Sequence, residues 1–318
     1  MRCVKITSTS TYEIKSTTTP SKTTLVTVLR IQSEVLHSIH KFFHQKGFLQ
    51  LMPVILSPIT DPLSHPVYEA HINYLGQQFQ LTKSMIFHKQ IAIATLNVEG
   101  IYIMSPNIRL EVSALRDSGK HLTEFTQLDI EIKEETAQDF MSLTEDLIIH
   151  IFSRVREYCK EELEKIGANI RIPQKPFKIY WSRNLREELG DDFGSRVSFQ
   201  EKDPFWITDF EREFYDKEDP ERKGHYINYD LYYPEGFGEA LSGGERDYEY
   251  ETLLRKINER NQDWKPYQAY LSLSKQGLLV PSAGGGLGIE RLVRFLTKKR
   301  HIREVSLFPK VPGEKIDF

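Results

Sequence analysis

Apolar residues from Leu25 through Val28, Leu29, Val35, Leu36, Ile39, Phe42 and Phe43 recur at helical spacing, and Gly47 supplies a stop, which predicts an amphipathic helix from Leu25 to Lys46. Phe48 to Ile55 reads as a strand interrupted by Pro53, a residue that cannot donate to a ladder and so marks an edge or an interface. Val67 to Tyr74 and Gln77 to Leu81 predict a hairpin around Gly76, with Thr82 placed to cap a helix over Lys83 to Thr95. Gly100 to Met104 is a further strand. The strongest alternation sets Leu122, Phe125, Leu128, Ile130 and Ile132 among Thr123, Glu124, Gln127, Asp129 and Glu131. Joined through a long polar loop to Ile108–Glu111, this segment predicts a hairpin able to hold Arg109, Glu111, Gln127, Asp129 and Glu131 on one face, because side chains two apart on a strand point the same way. That face reads equally well as the solvated side of an antiparallel sheet or as the lining of a site.

Beyond the hairpin, Thr136 to Ile166 predicts one long amphipathic helix closed by Gly167. The least periodic and most charged stretch is Pro173 to Gly224, with short strands at Lys178 to Tyr180 and Phe205 to Phe210 and a mobile insert over Glu211 to Lys223. Tyr226 to Tyr233 and Phe237 to Leu241 form paired strands around Pro234-Glu235-Gly236. Helices follow at Asp247 to Asn261 and Pro266 to Lys275, then the run Ala283 to Gly288 and a helix from Ile289 to Lys298. No internal repeat and no linker divides the chain into two cores.

With 318 residues, 39% hydrophobic and 27% charged, the composition is that of a soluble globular protein. A net charge of -3 gives no global basic surplus, so nucleic-acid binding is neither supported nor excluded. Cys3 and Cys159 stand in no metal or redox spacing and make no disulfide framework, which fits a cytoplasmic, reducing setting. No apolar run reaches the roughly 18 residues of a membrane span, and Met1 to Thr7 lacks a signal-peptide core. Thr7 to Thr24 is rich in Ser and Thr and reads as a flexible arm or an edge strand.

Charge places the candidate chemistry. Asp230 and Glu239 fall on the two strands of one predicted hairpin, an arrangement able to hold Mg²⁺ together with phosphate. Arg246 follows Ser242-Gly243-Gly244, so small residues admit a ligand to the backbone while an arginine waits beyond them. The glycine run before Ile289-Glu290-Arg291 is neither a dinucleotide nor a Walker fingerprint; it is either a strand entering a helix, presenting backbone N–H groups and Arg291 to an anion, or a packed turn. Asp61, before Pro62, reads first as a turn residue. Together, arginines for anions, carboxylates for metal and Phe125 for a planar ring suggest a nucleoside triphosphate and a carboxylate substrate.

At this point the sequence resembles the catalytic core of class II aminoacyl-tRNA synthetases of the aspartyl/asparaginyl branch. The residues that carry the resemblance are Phe43-His44-Gln45-Lys46-Gly47-Phe48 through Pro53, Arg109-Leu110-Glu111 through His121-Leu122-Thr123-Glu124-Phe125, and Gly286-Leu287-Gly288-Ile289-Glu290-Arg291-Leu292. Ile302-Arg303-Glu304-Val305 and Leu307-Phe308-Pro309 match that family's ending. The resemblance implies an α+β fold, an antiparallel sheet flanked by helices over residues 25–318, behind an arm of residues 1–24. It implies that Arg109 holds the ATP α-phosphate and the reacting carboxylate, that Glu111 and Phe125 take the adenine, and that His121 and Arg291 meet the terminal phosphates beside Gly288. Asp230 and Glu239 would hold Mg²⁺. Ser84, Lys89, Gln127, Asp129, Ser242 and Arg246 match positions that grip aspartate, with Lys89 and Arg246 toward a carboxylate and Asp129 toward the ammonium; Arg109, Arg291 and Lys89 form the catalytic set.

The departures narrow the resemblance. Residues 1–24 leave no room for the family's anticodon-binding barrel, the loop between Arg109 and His121 is longer than usual, Lys120 stands where Arg is common, and Ile86 stands where aspartyl enzymes have Gln. In these features the chain is similar to archaeal asparagine synthetases related to asparaginyl-tRNA synthetase. The implied function is an AMP-forming aspartate–ammonia ligase working through a β-aspartyl-adenylate, with ATP, aspartate and free ammonia as partners, tRNA and membrane not among them, and a homodimer formed through Phe43 to Pro53. The alternatives are a truncated ligase acting on tRNA or another acceptor, and a non-catalytic paralogue that regulates a synthetase.

Overall fold

The structure is a computed structural model that describes residues 21–316. Most of the expected N-terminal arm, with Cys3, lies outside the described residues. Residues 21–24 are not arm: Ser21 caps α1 (Lys22–Gln45), its hydroxyl accepting from the Thr24 amide at 3.2 Å. Next comes β1 (Leu49–Leu51), an edge strand parallel to its one neighbour, as the nearby Pro53 foreshadows. Small strands β2 (Leu56–Ser57), β3 (Val67–Tyr68), β4 (His71–Tyr74) and β5 (Gln77–Leu81) follow, and β4 and β5 form the hairpin expected around Gly76.

Thr82 does not cap α2 (Ile86–Leu96). The Lys83 amide is drawn to the Thr60 hydroxyl at 2.8 Å, so the helix begins later, with Ser84 Oγ accepting from the Ile86 amide at 3.2 Å. β6 (Gly100–Ile108) is longer than the sequence suggested; β7 (Leu110–Glu111) then peels away to pair with β3. A 3₁₀ turn at Ser113–Ser118 fills the polar loop before β8 (Glu124–Lys133), which pairs antiparallel with β6 along its whole length.

The predicted long helix is two, α3 (Ala137–Tyr158) and α4 (Lys160–Ile166), jointed at Cys159, a buried free thiol. Thr136 and Asp139 close a capping box at its start and Gly167 ends it in a left-handed conformation. β9 (Lys178–Trp181), α5 (Ser182–Leu189), α6 (Phe193–Gln200) and β10 (Phe205–Thr208) follow; the two helices are short and polar enough to have escaped the periodicity. The paired strands β11 (Asn228–Tyr233) and β12 (Gly238–Glu245) lead to α7 (Tyr250–Glu259), α8 (Gln268–Lys275), β13 (Ser282–Gly288) and α9 (Ile289–Leu296).

Eight strands make the main sheet, in the order β1-β6-β8-β13-β12-β11-β10-β9. Its antiparallel centre gives two chemically different faces, as alternation along β8 requires. Leu128, Ile130 and Ile132 turn into a core built with residues of α1, α3 and α9, such as Ile31, Ile151 and Leu292. Gln127, Asp129 and Glu131 turn the other way. This α+β architecture, an antiparallel-dominated sheet flanked by helices, is the expected one.

Two readings of the sequence are corrected by the packing. The glycine run is not a packed turn but β13 itself, inside the sheet between β8 and β12, and it enters α9 directly with Gly288 as the N-cap. The expected mobile insert at 211–223 is anchored: Phe214 and Tyr215 are buried in a second apolar cluster with Phe87, Leu253 and Tyr270. Its charges are held as well, since Asp216 bridges to Arg246 and Glu218 pairs with Arg255 at 2.8 Å.

Candidate active site

The polar face of β8 is the floor. A Cβ at Gly284 would overlap the Glu131 carboxylate, and one at Gly286 the Gln127 amide, so the glycines of β13 exist to let the long side chains of its neighbour lie across it. Lys89, from α2, reaches down to this floor and donates to Asp129 Oδ1 at 3.1 Å, to Gly285 O at 3.0 Å and to Ile130 O at 3.3 Å, with Glu131 Oε2 at 3.6 Å. Arg246 donates through Nε to Glu131 Oε1 at 3.1 Å and through Nη1 to Asp216 Oδ1 at 3.3 Å. Ser282 Oγ adds a bond to Glu131 at 2.8 Å. Burial raises the Asp129 carboxyl against the pull of Lys89, and its Oδ2 has no partner.

Above this network lies an inner pocket of about 80 Å³. It brings together all six residues expected at the amino acid: Ser84, Lys89, Gln127, Asp129, Ser242 and Arg246. Ile86 lines it too. Arg109, at the end of β6, borders both this pocket and an outer cavity of about 430 Å³. The outer cavity collects every residue expected at the nucleotide: Arg109, Glu111, His121, Phe125, Gly288 and Arg291.

Within the outer cavity the Arg109 guanidinium lies over the Phe125 ring, 5.2 Å from its centroid, and its Nε donates to Lys83 O at 3.0 Å. Burial opposes ionisation of Glu111, but a bond from His65 at 3.1 Å and the charges of His65, Arg109 and His121 outweigh it and hold the carboxyl below its ordinary value. Its Oε2 is buried without a partner. Burial first, then the charges of Arg291 and Lys120, push His121 down to about 4, so the imidazole is neutral at pH 7 and shares a 2.6 Å hydrogen bond with Ser118.

The two candidate metal ligands are placed unequally. Glu239 lines the outer cavity and pairs with Arg291 at 3.1 Å. Asp230, 2% exposed, lines neither cavity and is covered by Arg212, which bonds its Oδ2. Its other oxygen has no partner, and burial, with the charge of Glu239, raises the carboxyl to about 6 against the pull of Arg212. An orphaned buried carboxylate oxygen beside a second carboxylate fits a divalent cation. Among the described residues no group of three His, Cys, Asp or Glu is placed to hold one, so phosphate oxygens would have to complete the shell.

Sequence reasoning missed Arg212, Glu213, Tyr215 and Asp216, all of which border the two cavities. Arg212 stacks on Phe210, 4.3 Å from the ring centroid, and donates to Ser242 Oγ at 2.5 Å. Burial, then the charges of Asp61 and Asp216, raise Glu213 to about 7. The available signal was the aromatic doublet Phe214-Tyr215 inside an otherwise charged run. Asp61 proves to be more than a turn residue: it accepts from the Leu63 amide at 3.1 Å, as a turn would have it, but also from Tyr215 OH at 3.0 Å, at the boundary of both cavities.

Comparison with known proteins fits this geometry. Residues 12–312 match the family model of tRNA synthetases class II (D, K and N). The asparagine–tRNA ligase of Pyrococcus abyssi is 31% identical over 305 residues, covering 90% of this chain and 68% of that protein, and the enzyme of Pyrococcus furiosus matches with the same identity and coverage. Among solved structures, asparaginyl-tRNA synthetase from Pyrococcus horikoshii complexed with asparaginyl-adenylate superposes with a TM-score of 0.82 at 26% identity, covering 92% of this chain and 70% of that one. A glycine-floored pocket beneath an arginine-bordered cavity, and sequence relatives across nearly the whole chain, lead to one conclusion: the protein belongs to the class II tRNA synthetase family.

Proposed function

We propose that residues 25–318 act as one adenylate-forming catalytic domain that takes aspartate as its amino acid and ammonia as its acceptor, releasing asparagine, AMP and pyrophosphate. The observation that carries this reading is the charge of the inner pocket: Lys89, Arg109, Arg212 and Arg246 line it against Asp61, Asp129 and Asp216. With Glu131 beneath Lys89 and Arg246 the charges balance, and the pocket offers cations that can face carboxylates beside Asp129, whose partnerless Oδ2 can take an ammonium. Asp129 would take the ammonium and Lys89 and Arg246 a carboxylate, with Ser84, Gln127 and Ser242 completing the grip.

Arg109, bordering both spaces, would hold the α-phosphate against the reacting carboxylate. Phe125 would stack the purine, and the partnerless Oε2 of Glu111 is an acceptor for a purine amino group. Arg291, Gly288 and the neutral His121 would face the terminal phosphates. Asp230 and Glu239 would hold Mg²⁺, which when bound offsets the charge of the phosphates. A carboxylate oxygen attacks the α-phosphorus, forming the acyl phosphate bond as the bond to pyrophosphate breaks. The ammonia nitrogen then attacks the acyl carbon, the bond to AMP breaks, and a proton passes to solvent.

A second reading is favoured by the relatives, which are asparagine–tRNA ligases: asparagine would be activated at its α-carboxyl and handed to tRNA. Incubation with ATP, Mg²⁺ and aspartate, with and without ammonium or tRNA, while AMP and asparagine are followed, separates the two. Asparagine formed only with ammonium supports the first; AMP release that requires tRNA and ignores ammonium overturns it. Absence of amino-acid-dependent pyrophosphate exchange would point to the non-catalytic alternative.

We also infer a two-fold dimer through Phe43 to Pro53. Leu49, Ile55 and Leu56 are exposed at the sheet edge and Met52 is 86% exposed, an apolar strip that a second copy would cover. Light scattering at the mass of one chain would contradict it.

A further inference from the structure

A cavity of about 910 Å³ shares no lining residue with either of the two described above. Its walls come from the C-terminal end of α9 and the residues after it, the turn between β11 and β12, the segment following α4, the end of α6 with the segment after it, and Phe152 of α3. Its size is that of small-ligand sites, roughly 300 to 1,000 Å³. Both of its acidic residues are already engaged, Asp203 by Arg171 at 3.0 Å and Glu235 by Lys298 at 2.9 Å. Among the described residues, Lys202, Arg294, Lys299 and Arg300 then face the cavity with no carboxylate in ion-pairing reach, although the chain as a whole carries net charge -3.

Arg294 makes this arrangement unusual, because it is only 9% exposed. Of the five N–H donors of a guanidinium it spends two, Nε on Arg300 O at 3.1 Å and Nη1 on Phe237 O at 3.3 Å. A charge taken so far out of water, with the Glu304 carboxylate beyond ion-pairing distance and the face of the Phe237 ring at 5.0 Å, is incompletely compensated, and an anion in the cavity would relieve that cost. At the rim, Phe199 is 72% exposed. Its ring is braced from behind by bare backbone: a Cβ at Gly236, where φ is +77°, would overlap it. A largely exposed aromatic ring packed against backbone beside unpaired cations is the arrangement that stacks a base and holds its phosphate.

We propose that this cavity is a second nucleoside-phosphate site, separate from the catalytic cavity, with the base on Phe199 and the phosphate on Arg294, Lys299 and Arg300. A free nucleotide and the end of a single strand present the same chemistry.

The test is calorimetric titration of the full chain with AMP and, separately, with a short single-stranded oligonucleotide. The wild type is expected to take up two equivalents of AMP. Lys299→Ser/Arg300→Ser, which alters only side chains at the surface, is expected to take up one, with amino-acid-dependent pyrophosphate exchange unchanged. Phe199→Ala should weaken AMP at the second site by roughly tenfold or more while leaving inorganic phosphate unaffected. A double variant that takes up as many equivalents of AMP as the wild type overturns the proposal. An oligonucleotide that displaces the second AMP at lower concentration than AMP itself identifies a strand end, and one that does not identifies the free nucleotide. The equivalent lost between wild type and double variant does not depend on whether the catalytic cavity binds AMP.

Discussion

The floor of the inner pocket and the cavity beside α9 both concentrate charge, and they are built on opposite plans. On the floor each cation is answered within the fold, Lys89 by Asp129 and Glu131 and Arg246 by Glu131 and Asp216. In the cavity beside α9, Lys202, Arg294, Lys299 and Arg300 have no such answer. A closed network of buried charges fixes its members in place before any ligand arrives, which is what positioning chemistry requires. Of that cluster, Lys202, Lys299 and Arg300 are open enough for water and salt to screen them, whereas buried Arg294 is left for a counter-charge from outside. Damage to the first should therefore reach folding and chemistry together, whereas damage to the second should reach binding alone.

Arg246→Met gives the sharpest contrast. It strands Glu131 and Asp216 as buried charges, and unfolding by urea should show a loss of about 3–5 kcal/mol; a loss below about 1 kcal/mol would mean that the network is not closed as described. Arg109→Gln keeps the fold but removes the cation at the junction of the cavities, and amino-acid-dependent pyrophosphate exchange should fall about 10²- to 10³-fold.

Glu290 is the exception near the floor, a carboxylate without a cation. Burial raises it from 4.5 to about 7, although it accepts from the Thr126 amide at 3.0 Å. Its folded value lies above its unfolded one, so its contribution is fully present below pH 4.5 and is lost as pH rises through about 7. The stability of the wild type relative to Glu290→Gln should therefore drop by about 3 kcal/mol across that window. Equal midpoints at both ends would show that the carboxylate has a partner. Smallest of all, Lys299→Ser/Arg300→Ser should shift unfolding by no more than about 0.5 kcal/mol; a larger loss would place those side chains in the same class as Arg246.

The contrast also explains what the sequence disclosed. Alternation along β8 revealed both its faces, because period two is a local property and survives without knowledge of neighbours. Thr136 and Gly167 marked the ends of the α3–α4 segment for the same reason. Glycine has little preference for a strand, so local pattern left Gly284, Gly285 and Gly286 open between a strand and a turn; they are required by Glu131 and Gln127, which lie more than 150 residues away in the chain. The charged run 211–223 read as a mobile insert because its partners, such as Arg246 for Asp216, are set by tertiary contact. Asp230 was placed correctly on its strand, but no pattern showed that Arg212 would cover it.

The glycine strand also bears on the order in which the molecule assembles. β13 pairs with β8 in a register that joins Gly288 to Gln127 and Ser282 to Lys133, contacts that close very long loops, and a run of glycines sacrifices the most chain entropy to do so. The β6–β8 ladder is local by comparison and can form first. The pocket floor is thus completed by a late-arriving strand, and in pulse-labelled hydrogen exchange during refolding the Gly285 amide should gain protection after those of Ile101 and Ile130. Until then the chain has most of its core but nowhere to bind.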